Sequence, residues 1–181
     1  MNSPSHAIDF NRHVPEGDTH ERDVCTRCGF IHYVNPKIVT GSIVRHKDRI
    51  LLCRRAIAPR IGFWTLPAGF MEVGETAEQA AMREAREEAN AAIVIDRLLA
   101  VYTIPRIAQV QIMYLANLVD ANISAGPESL EVMLASWDEI PWDGLAFPSV
   151  RWALDQFRSI EGIADFAPFT NPPGEFGEPK P

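Results

Sequence analysis

The chain has 181 residues, which is enough for one well-buried core and a small appendage. Nearly half of the residues are apolar and about a quarter are charged, the ordinary balance of a globular domain. The formal net charge of −7 argues against a general nucleic-acid-binding protein, because phosphate backbones select for clustered Lys and Arg. It does not exclude a small phosphorylated substrate, since divalent cations can neutralise such a group.

The amino-terminal residues and the cysteine count bear on where the protein works. Residues 1–10 lack a basic stretch followed by an apolar run, so they do not resemble a secretory signal. No segment approaches the roughly 20 consecutive apolar residues of a membrane span. The odd set of cysteines, Cys25, Cys28 and Cys53, favours reduced thiols over a disulfide framework. We therefore expect a cytoplasmic protein that binds neither membranes nor nucleic acid.

Three regions follow one another along the chain. Residues 1–36 are polar at first and end in a cysteine-bearing segment, Cys25-Thr-Arg-Cys28. Residues 37–163 carry the periodic apolar segments of a folded domain. Residues 164–181 hold five of the fourteen prolines and show little periodicity, which predicts an extended or disordered tail.

The central region predicts a mixed sheet between helices, an α/β (α+β) fold. Glu75 to Ala89 is rich in Ala, Glu and Arg without Gly or Pro, which predicts a helix. Thr76 and Gln79 are spaced for a capping box at its start. A second helix is predicted over residues 149–160 from one apolar face. Strands are predicted over residues 37–45, 49–55, 63–66, 92–95, 98–104, 110–119 and 130–136.

The first helix carries three glutamates that share one face. Glu84, Glu87 and Glu88 stand at i, i+3 and i+4, so their like charges repel one another. A divalent cation reverses that repulsion, and hard oxygen ligands suit Mg²⁺ or Mn²⁺. The spacing therefore indicates a metal site on this helix.

The loop before the helix supports the same interpretation. Gly69 and Gly74 allow backbone conformations that other residues resist, and Gly69 leaves its carbonyl free to approach a metal. Arg83 is placed to pair with Glu75, which would pin the loop to the helix. That pair would in turn orient Glu87, as a metal site requires of its surroundings.

The pattern Gly69-x5-Glu75-x7-Arg83-Glu84-x-x-Glu87-Glu88 resembles the signature of the Nudix hydrolases. The departure is Asn90, where the family has Gly, and Asn is the next-best residue for a left-handed helix end. The resemblance implies an α/β/α sandwich and Mg²⁺- or Mn²⁺-dependent hydrolysis of a nucleoside diphosphate derivative. The metal ligands that it implies are Glu84, Glu87, Glu88 and the Gly69 carbonyl, and the catalytic residues are Glu75, Arg83, Glu87 and Glu88.

The resemblance extends over residues 25–150 to a branch with an amino-terminal zinc ribbon, which implies ADP-ribose or FAD as substrate and two monophosphates as products. It also implies a homodimer, as in ADP-ribose pyrophosphatases. Cys25 and Cys28 supply two of the four ligands that a structural zinc needs. The other pair should fall near Ser3 and His6, neither of which is Cys. His6, His13, His20 or His32 are the alternatives, so zinc binding stays open.

Residues outside the signature have two interpretations each. Glu128 is our candidate general base, and the alternative is an ordinary exposed loop glutamate. Arg54, Arg55, Arg60 and Arg106 are candidates to grip a diphosphate or a terminal group, since guanidinium pairs bidentately with phosphate. Four aromatic residues are candidates to stack on an adenine or flavin ring, and the alternative is a place in the core: Phe63, Trp64, Tyr102 and Tyr114. Cys53 is expected to be a small buried apolar residue.

Other functions remain as alternatives. One alternative keeps the same chemistry but takes NADH or a nucleoside triphosphate as the substrate. A second alternative, from a different class, is a nucleotide-binding regulator that has lost catalysis. A third alternative is that the acidic helix and the proline-rich tail form a protein-interaction surface, but no sequence motif supports it.

Overall fold

The computed structural model describes residues 9–178, which fall into two units that divide between Asn35 and Pro36. The first unit is a three-stranded antiparallel sheet of β1 (Phe10–His13), β2 (Arg22–Cys25) and β3 (Ile31–His32), in that order. The turn after β2 closes on Gly29, whose N–H donates to the Cys25 carbonyl at 3.0 Å. Sequence analysis missed these strands, because they are short and largely exposed and so lack an apolar alternation.

The second unit is built on a mixed sheet. Its strands are β4 (Lys37–His46), β5 (Arg49–Arg55), β6 (Trp64–Thr65), β7 (Ala68–Phe70), β8 (Ile93–Ile104), β9 (Gln109–Leu118) and β10 (Ser129–Ala135). The order across the sheet is β10-β5-β4-β9-β8, with β6 paired to β5 and β7 paired to β4. The β4–β9 pair is parallel and the other pairs are antiparallel. Three 3₁₀ turns occupy Pro105–Ile107, Trp137–Glu139 and Trp142–Gly144.

Two helices cover the two faces of this sheet. They are α1 (Ala77–Ala89) and α2 (Pro148–Ser159). Successive residues of a strand point to opposite faces, so Val44 packs with Ala85 and Ala89 of α1, while Ile43 packs with Leu154 of α2. The predicted α/β/α sandwich with a mixed sheet is confirmed. Neither helix combines the length and the apolar character that crossing a bilayer demands, within the described part of the chain.

The elements differ from the predicted ones mainly at their ends. The predicted breaks around Asp96 and Arg97 are absent, and one strand, β8, runs through with register shifts at Ile95/Arg97 and Leu98/Ala100. A bulge accommodates the extra residue without ending the pairing, so polar residues there do not stop the strand. Helix α1 begins after Thr76, whose capping box with Gln79 is present as predicted.

The carboxy-terminal region is ordered in its described part. Residues 166–178, which we name the C-terminal strap, run along the free edge of β8. Phe169 accepts from the Val101 N–H at 2.9 Å and donates its own N–H to the Leu99 carbonyl at 2.8 Å. Phe166 and Phe169 also pack against the core on the α2 face. The segment is extended as predicted but not disordered, because its aromatic side chains find buried partners.

Candidate active site

Helix α1 places the three glutamates in different environments. Glu84 and Glu88 are buried, with 8% and 5% of their surface exposed, whereas Glu87 is open to solvent. The Glu88 carboxylate accepts the Ala68 N–H at 3.2 Å. The helix ends as predicted at Asn90, which adopts the left-handed conformation (φ 50°, ψ 24°).

Arg83 connects the loop to the glutamates. Its guanidinium donates to both oxygens of Glu75 at 2.8 and 3.1 Å, which is the predicted pair. The same group donates to Glu84 at 2.7 Å, to Glu87 at 2.8 Å and to the Phe70 carbonyl at 2.9 Å. Arg83 thus holds the loop and two of the glutamates in fixed positions.

Burial and ion pairing divide the carboxylates electrostatically. Burial raises the pKa of Glu88 to about 8, against the opposing effect of the Ala68 N–H. Burial also raises the pKa of Glu84, although Arg83 opposes that rise. The Arg83 hydrogen bond lowers the pKa of Glu75, and the Glu72 N–H lowers it further. The pKa of Arg83 rises in turn because of Glu75.

Gly69 is required for space rather than for an unusual backbone angle. A Cβ atom at this position would lie 2.4 Å from the Glu84 carboxylate, while Gly74 is the loop glycine with a left-handed φ of 96°. The β7 backbone at Gly69 therefore approaches the Glu84 carboxylate as closely as it can. Carboxylate oxygens beside an open backbone form a hard donor set that suits Mg²⁺ or Mn²⁺. Within residues 9–178 these side chains do not form a preformed set of metal ligands, and Arg83 forms ion pairs with Glu84 and Glu87.

A cavity of about 1010 Å³ opens onto these glutamates. Glu88 bonds to β7, which pairs with the central strand β4, so the carboxylates lie between the β5 side and the β9–β8 side. The residues that line the β5 side include Arg55, Arg60 and Phe147. Those that line the β9–β8 side include Ile104, Arg106, Gln109, Gln111 and Gly177. The cavity is therefore lined from both sides of the sheet centre, and we call the part lined by residues of the β5 side the β5-side compartment and the part lined by residues of the β9–β8 side the β9–β8 compartment.

The candidate arginines separate into two groups. Arg55, Arg60 and Arg106 line the cavity, as a role in substrate binding requires. Arg54 does not line it, because neighbouring strand residues point to opposite faces. Its side chain instead donates to the Gly62 carbonyl at 3.0 Å and pairs with Glu131 at 3.5 Å. The structure thus places the Arg54 side chain with Gly62 and Glu131, apart from the three arginines that line the cavity.

Arg55 is held by its surroundings. Its Nε donates to the Pro59 carbonyl at 2.8 Å, and its guanidinium lies 5.2 Å from the centre of the Phe147 ring. Its charge also lowers the pKa of Glu88, against the larger effect of burial. Arg55 is therefore a fixed positive charge in the β5-side compartment.

Glu128 lies in the loop that leads into β10, and that loop docks on the end of α1. The Gly126 N–H donates to the Glu88 carbonyl at 3.0 Å, and a Cβ at Gly126 would lie 1.7 Å from the Glu87 carbonyl oxygen. Glu128 lines the cavity, and its charge contributes to the raised pKa values of Glu84 and Glu88. Glu131, three residues on, does not line the cavity.

The predicted aromatic residues lie outside the cavity. Tyr102 and Tyr114 are buried in the core, and neither Phe63 nor Trp64 lines the cavity. The core interpretation is therefore confirmed for Tyr102 and Tyr114, whereas Phe63 and Trp64 are half-buried. The aromatic rings in the cavity wall belong to Phe70 and Phe147, which sequence analysis missed.

Other cavity residues were also missed. Gln109 and Gln111 could have been found, since alternate residues of one strand face the same way. The strap contributes Gly177 from far along the chain, and no local sequence signal marks that contact.

The cysteines behave as three different thiols. Cys53 is buried, as expected, and burial raises its pKa. Cys25 is buried and Cys28 exposed, and the N–H groups of Arg27 and then Cys28 lower the pKa of Cys25. Among the described histidines, none forms a metal-holding group with this pair, and His6 lies outside the described residues.

Comparisons with known proteins agree with this geometry. The NUDIX domain family matches residues 35–153, and the Nudix N-terminal zinc-ribbon family matches residues 9–34. An ADP-ribose pyrophosphatase of Methanocaldococcus jannaschii is 30% identical over 134 residues, covering 72% of this chain and 78% of its own. An NAD-capped RNA hydrolase, NudC, of Photorhabdus laumondii is 34% identical over 123 residues, covering 65% of this chain. This chain spans only 46% of that relative.

One solved structure is similar to this chain over nearly its whole length. A NUDIX hydrolase from Nitrosomonas europaea is 42% identical, with a TM-score of 0.86, and the match covers 93% of this chain and 97% of that one. The family match spans well over half of the chain and contains both the acidic helix and its loop. The chain therefore belongs to the Nudix hydrolase family.

Proposed function

We propose that the protein hydrolyses the diphosphate bond of a nucleoside diphosphate derivative with Mg²⁺ or Mn²⁺, and that ADP-ribose or FAD is its substrate. One observation carries the proposal: a single cavity contains the acidic cluster and is lined by residues from both the β5 side and the β9–β8 side. A diphosphate that joins two organic groups fits such a site, with its phosphates at the carboxylates. A nucleoside triphosphate has only one organic group and would leave one compartment unused. The M. jannaschii relative, named an ADP-ribose pyrophosphatase, supports the same substrate class.

The residues of the chain divide the chemical work. Glu84, Glu87, Glu88 and the Gly69 carbonyl would hold the divalent cation, which supplies neutralisation of the phosphate charge when bound. Glu75 holds the Arg83 guanidinium, which in turn donates directly to Glu84 and Glu87 and keeps them in place. Arg55 and Arg106 offer guanidinium groups to phosphate oxygens on the two sides of the cluster.

Glu128 is the candidate base for the attacking water. The water oxygen forms a bond to one phosphorus, and its proton passes to the Glu128 carboxylate. The bond from that phosphorus to the bridging oxygen breaks, and the bridging oxygen leaves with the second phosphate. The products are two monophosphates, so atoms and charges balance with one water consumed.

The second candidate is cleavage of NADH or of an NAD cap, because the NudC relative is named an NAD-capped RNA hydrolase. The bond broken is the same kind of diphosphate link. The net charge of −7 disfavours an RNA substrate, since a phosphate backbone would be repelled at long range.

The proposal is tested by a product assay with Mg²⁺ on ADP-ribose, FAD, NADH and nucleoside triphosphates. We expect monophosphates from ADP-ribose or FAD, and Glu87→Gln or Glu128→Gln should lower kcat by about a hundredfold or more. Glu131→Gln is the matched control, since it removes an exposed glutamate of the same region outside the cavity. Nucleotide binding without turnover, unchanged in Glu87→Gln, would instead identify a binding regulator.

A further inference from the structure

We propose that the C-terminal strap is a wall of the substrate pocket, and that Gly177 limits the size of the group bound in the β9–β8 compartment. The inference rests on the proposed function for the identity of the substrate, whereas the wall itself rests on contacts within the chain. The strap follows the last helix of the sandwich and is separated in sequence from the acidic helix by some eighty residues, yet both reach the same cavity.

The strap is fixed to β8 beside the cavity. The Asn171 side chain accepts the Thr103 N–H at 2.9 Å and donates to the Thr103 carbonyl at 2.8 Å. It thus replaces the hydrogen bonds that a neighbouring strand would make. Thr103 precedes Ile104, which lines the cavity, so this anchor lies one residue from the compartment.

A second set of contacts carries the strap from the anchor to the cavity. Asn171 also donates to the Glu175 carbonyl at 3.0 Å, and the Glu175 carboxylate accepts the Trp152 indole N–H at 2.6 Å. Trp152 is buried in α2, so the strap is held to the helix as well as to the strand. Gly177 follows two residues after Glu175, so its position is fixed by the contacts of the strap with β8 and with α2.

Gly177 is buried, lines the cavity and has a left-handed φ of 86°. A Cβ atom there would lie 2.8 Å from two carbon atoms of the Ile104 side chain. Contact this close means that any side chain at position 177 must displace Ile104 or move the strap. Because Ile104 lines the same cavity, a side chain at position 177 would rearrange this part of the wall, and the glycine keeps Ile104 in its place.

The same compartment shows which chemistry it accepts. Arg106, Gln109 and Gln111 provide hydrogen-bonding groups, while Ile104 and Ile107 provide apolar contact. A sugar that bears hydroxyl groups satisfies both kinds of surface. We therefore assign the ribose-like group of the substrate to this compartment, with the strap at its edge.

The first test introduces bulk at the wall. Gly177→Val should raise the KM for ADP-ribose by about tenfold with kcat changed less than about twofold, because binding is obstructed while the acidic cluster is untouched. Gly174→Val is the matched control, since Gly174 has a similar φ of 77° but nothing within 4 Å of its Cβ position. Gly174→Val should keep the wild-type KM, although it introduces backbone strain similar to that of Gly177→Val. Equal KM values for both variants would overturn the proposal.

A second test removes the anchor without adding bulk. Asn171→Ala should raise KM in the same way, whereas Asn117→Ala, at an exposed position of β9, should not. Hydrogen exchange of residues 166–178 is then measured in the wild-type protein with and without ribose 5-phosphate and Mg²⁺. Slower exchange with ribose 5-phosphate supports the wall even if no substrate of the panel is cleaved. Exchange that ribose 5-phosphate leaves unchanged, with ribose 5-phosphate shown to bind, overturns the wall and leaves the proposed hydrolysis standing.

Discussion

At the scale of single residues, Gly69 is decisive because its missing side chain is what lets the Glu84 carboxylate approach the backbone of β7. In Gly69→Ala the methyl group must displace that carboxylate, which is the flexible end of a side chain, so the fold should survive. We expect the Mg²⁺ concentration for half-maximal activity to rise by about tenfold or more, with little change in the melting temperature. A Mg²⁺ titration of activity measures this.

Gly74→Ala is the matched control for that prediction. Gly74 has a left-handed φ but nothing within 4 Å of its Cβ position, so its replacement should cost about 1 kcal/mol of stability. Its Mg²⁺ dependence should stay that of the wild-type protein. If both variants shift the Mg²⁺ dependence alike, the effect belongs to loop stability and not to Glu84.

Glu88 makes the stability of the metal-free protein depend on pH. Its pKa of about 8 lies above the value of 4.5 for an unperturbed glutamate, so between these values the folded chain binds more protons than the unfolded chain. Stability therefore falls as pH rises from about 5 to 8, by at most about 1.4 kcal/mol per pH unit from this group. Glu88→Gln lacks this titration. We expect its stability advantage over the wild-type protein to grow with pH.

Urea unfolding in the presence of a chelator, at several pH values, measures that advantage. Glu84 shifts in the same direction but is present in both proteins, so the difference reports on Glu88. Parallel stability curves for the two proteins would contradict a buried, protonated Glu88.

Residue identities in the signature could be predicted because fixed spacing on a helix fixes geometry. The Glu75–Arg83 pair and the left-handed Asn90 follow from local rules and are observed. The separation of Arg54 from Arg55 has an equally local cause, which is the side-chain alternation of β5. The unequal burial of Glu84 and Glu87 depends on tertiary packing, which helix spacing alone does not contain.

At the scale of elements, the end of α1 and the following loop act together. The Asn90 side chain donates to the carbonyl and hydroxyl oxygens of Ser124 at 3.1 and 3.0 Å, which ties the loop that carries Glu128 to the helix. The Asn90 side chain therefore couples the helix end to the loop of the candidate base, in addition to the backbone bonds from Ser124 and Gly126 to the last turn of the helix.

Two substitutions separate the roles of Asn90. Asn90→Gly keeps the left-handed helix end but loses the tie, so we expect a stability change of under about 1 kcal/mol and a fall in kcat of about threefold to tenfold. Asn90→Ala loses both and should be less stable than Asn90→Gly by about 1 kcal/mol. Thermal unfolding and steady-state kinetics measure the two effects. An unchanged kcat in both variants would show that the tie does not position Glu128.

Elements with strong periodicity were predicted and those without it were not. Strand β5 and helix α1 have nearly the predicted limits, because composition and capping mark them. The sheet of residues 9–35 and the strap have no such pattern. The strap is stabilised by the Asn171 side chain and by contacts with distant elements, which only the assembled fold supplies.

At the scale of the whole molecule, the net charge of −7 distinguishes the possible substrates. With saturating Mg²⁺, raising NaCl from about 20 to about 150 mM screens the repulsion of a small dianion, so kcat/KM for ADP-ribose should not fall. An RNA substrate bound through its phosphates would show the opposite, a steep fall with salt. Initial rates across a salt series measure this. A steep fall for ADP-ribose would contradict binding confined to one cavity.

The overall architecture was the most predictable property, since a helix on each face of a mixed sheet follows from the order of the segments. The shape of the cavity was not predictable. It is formed where the ends of β5, β8 and β9 meet loops that lie far apart in sequence, including those of Phe147 and Gly177.

The position of Arg83 has a consequence for the protein without a bound cation. One guanidinium satisfies Glu75, Glu84 and Glu87 within 3.1 Å, so the acidic cluster contains its own counter-ion. A chain without a bound cation can therefore fold with part of the repulsion between these carboxylates already compensated. If the proposed hydrolysis needs a divalent cation, removing the cation should abolish activity reversibly while the fold stays intact.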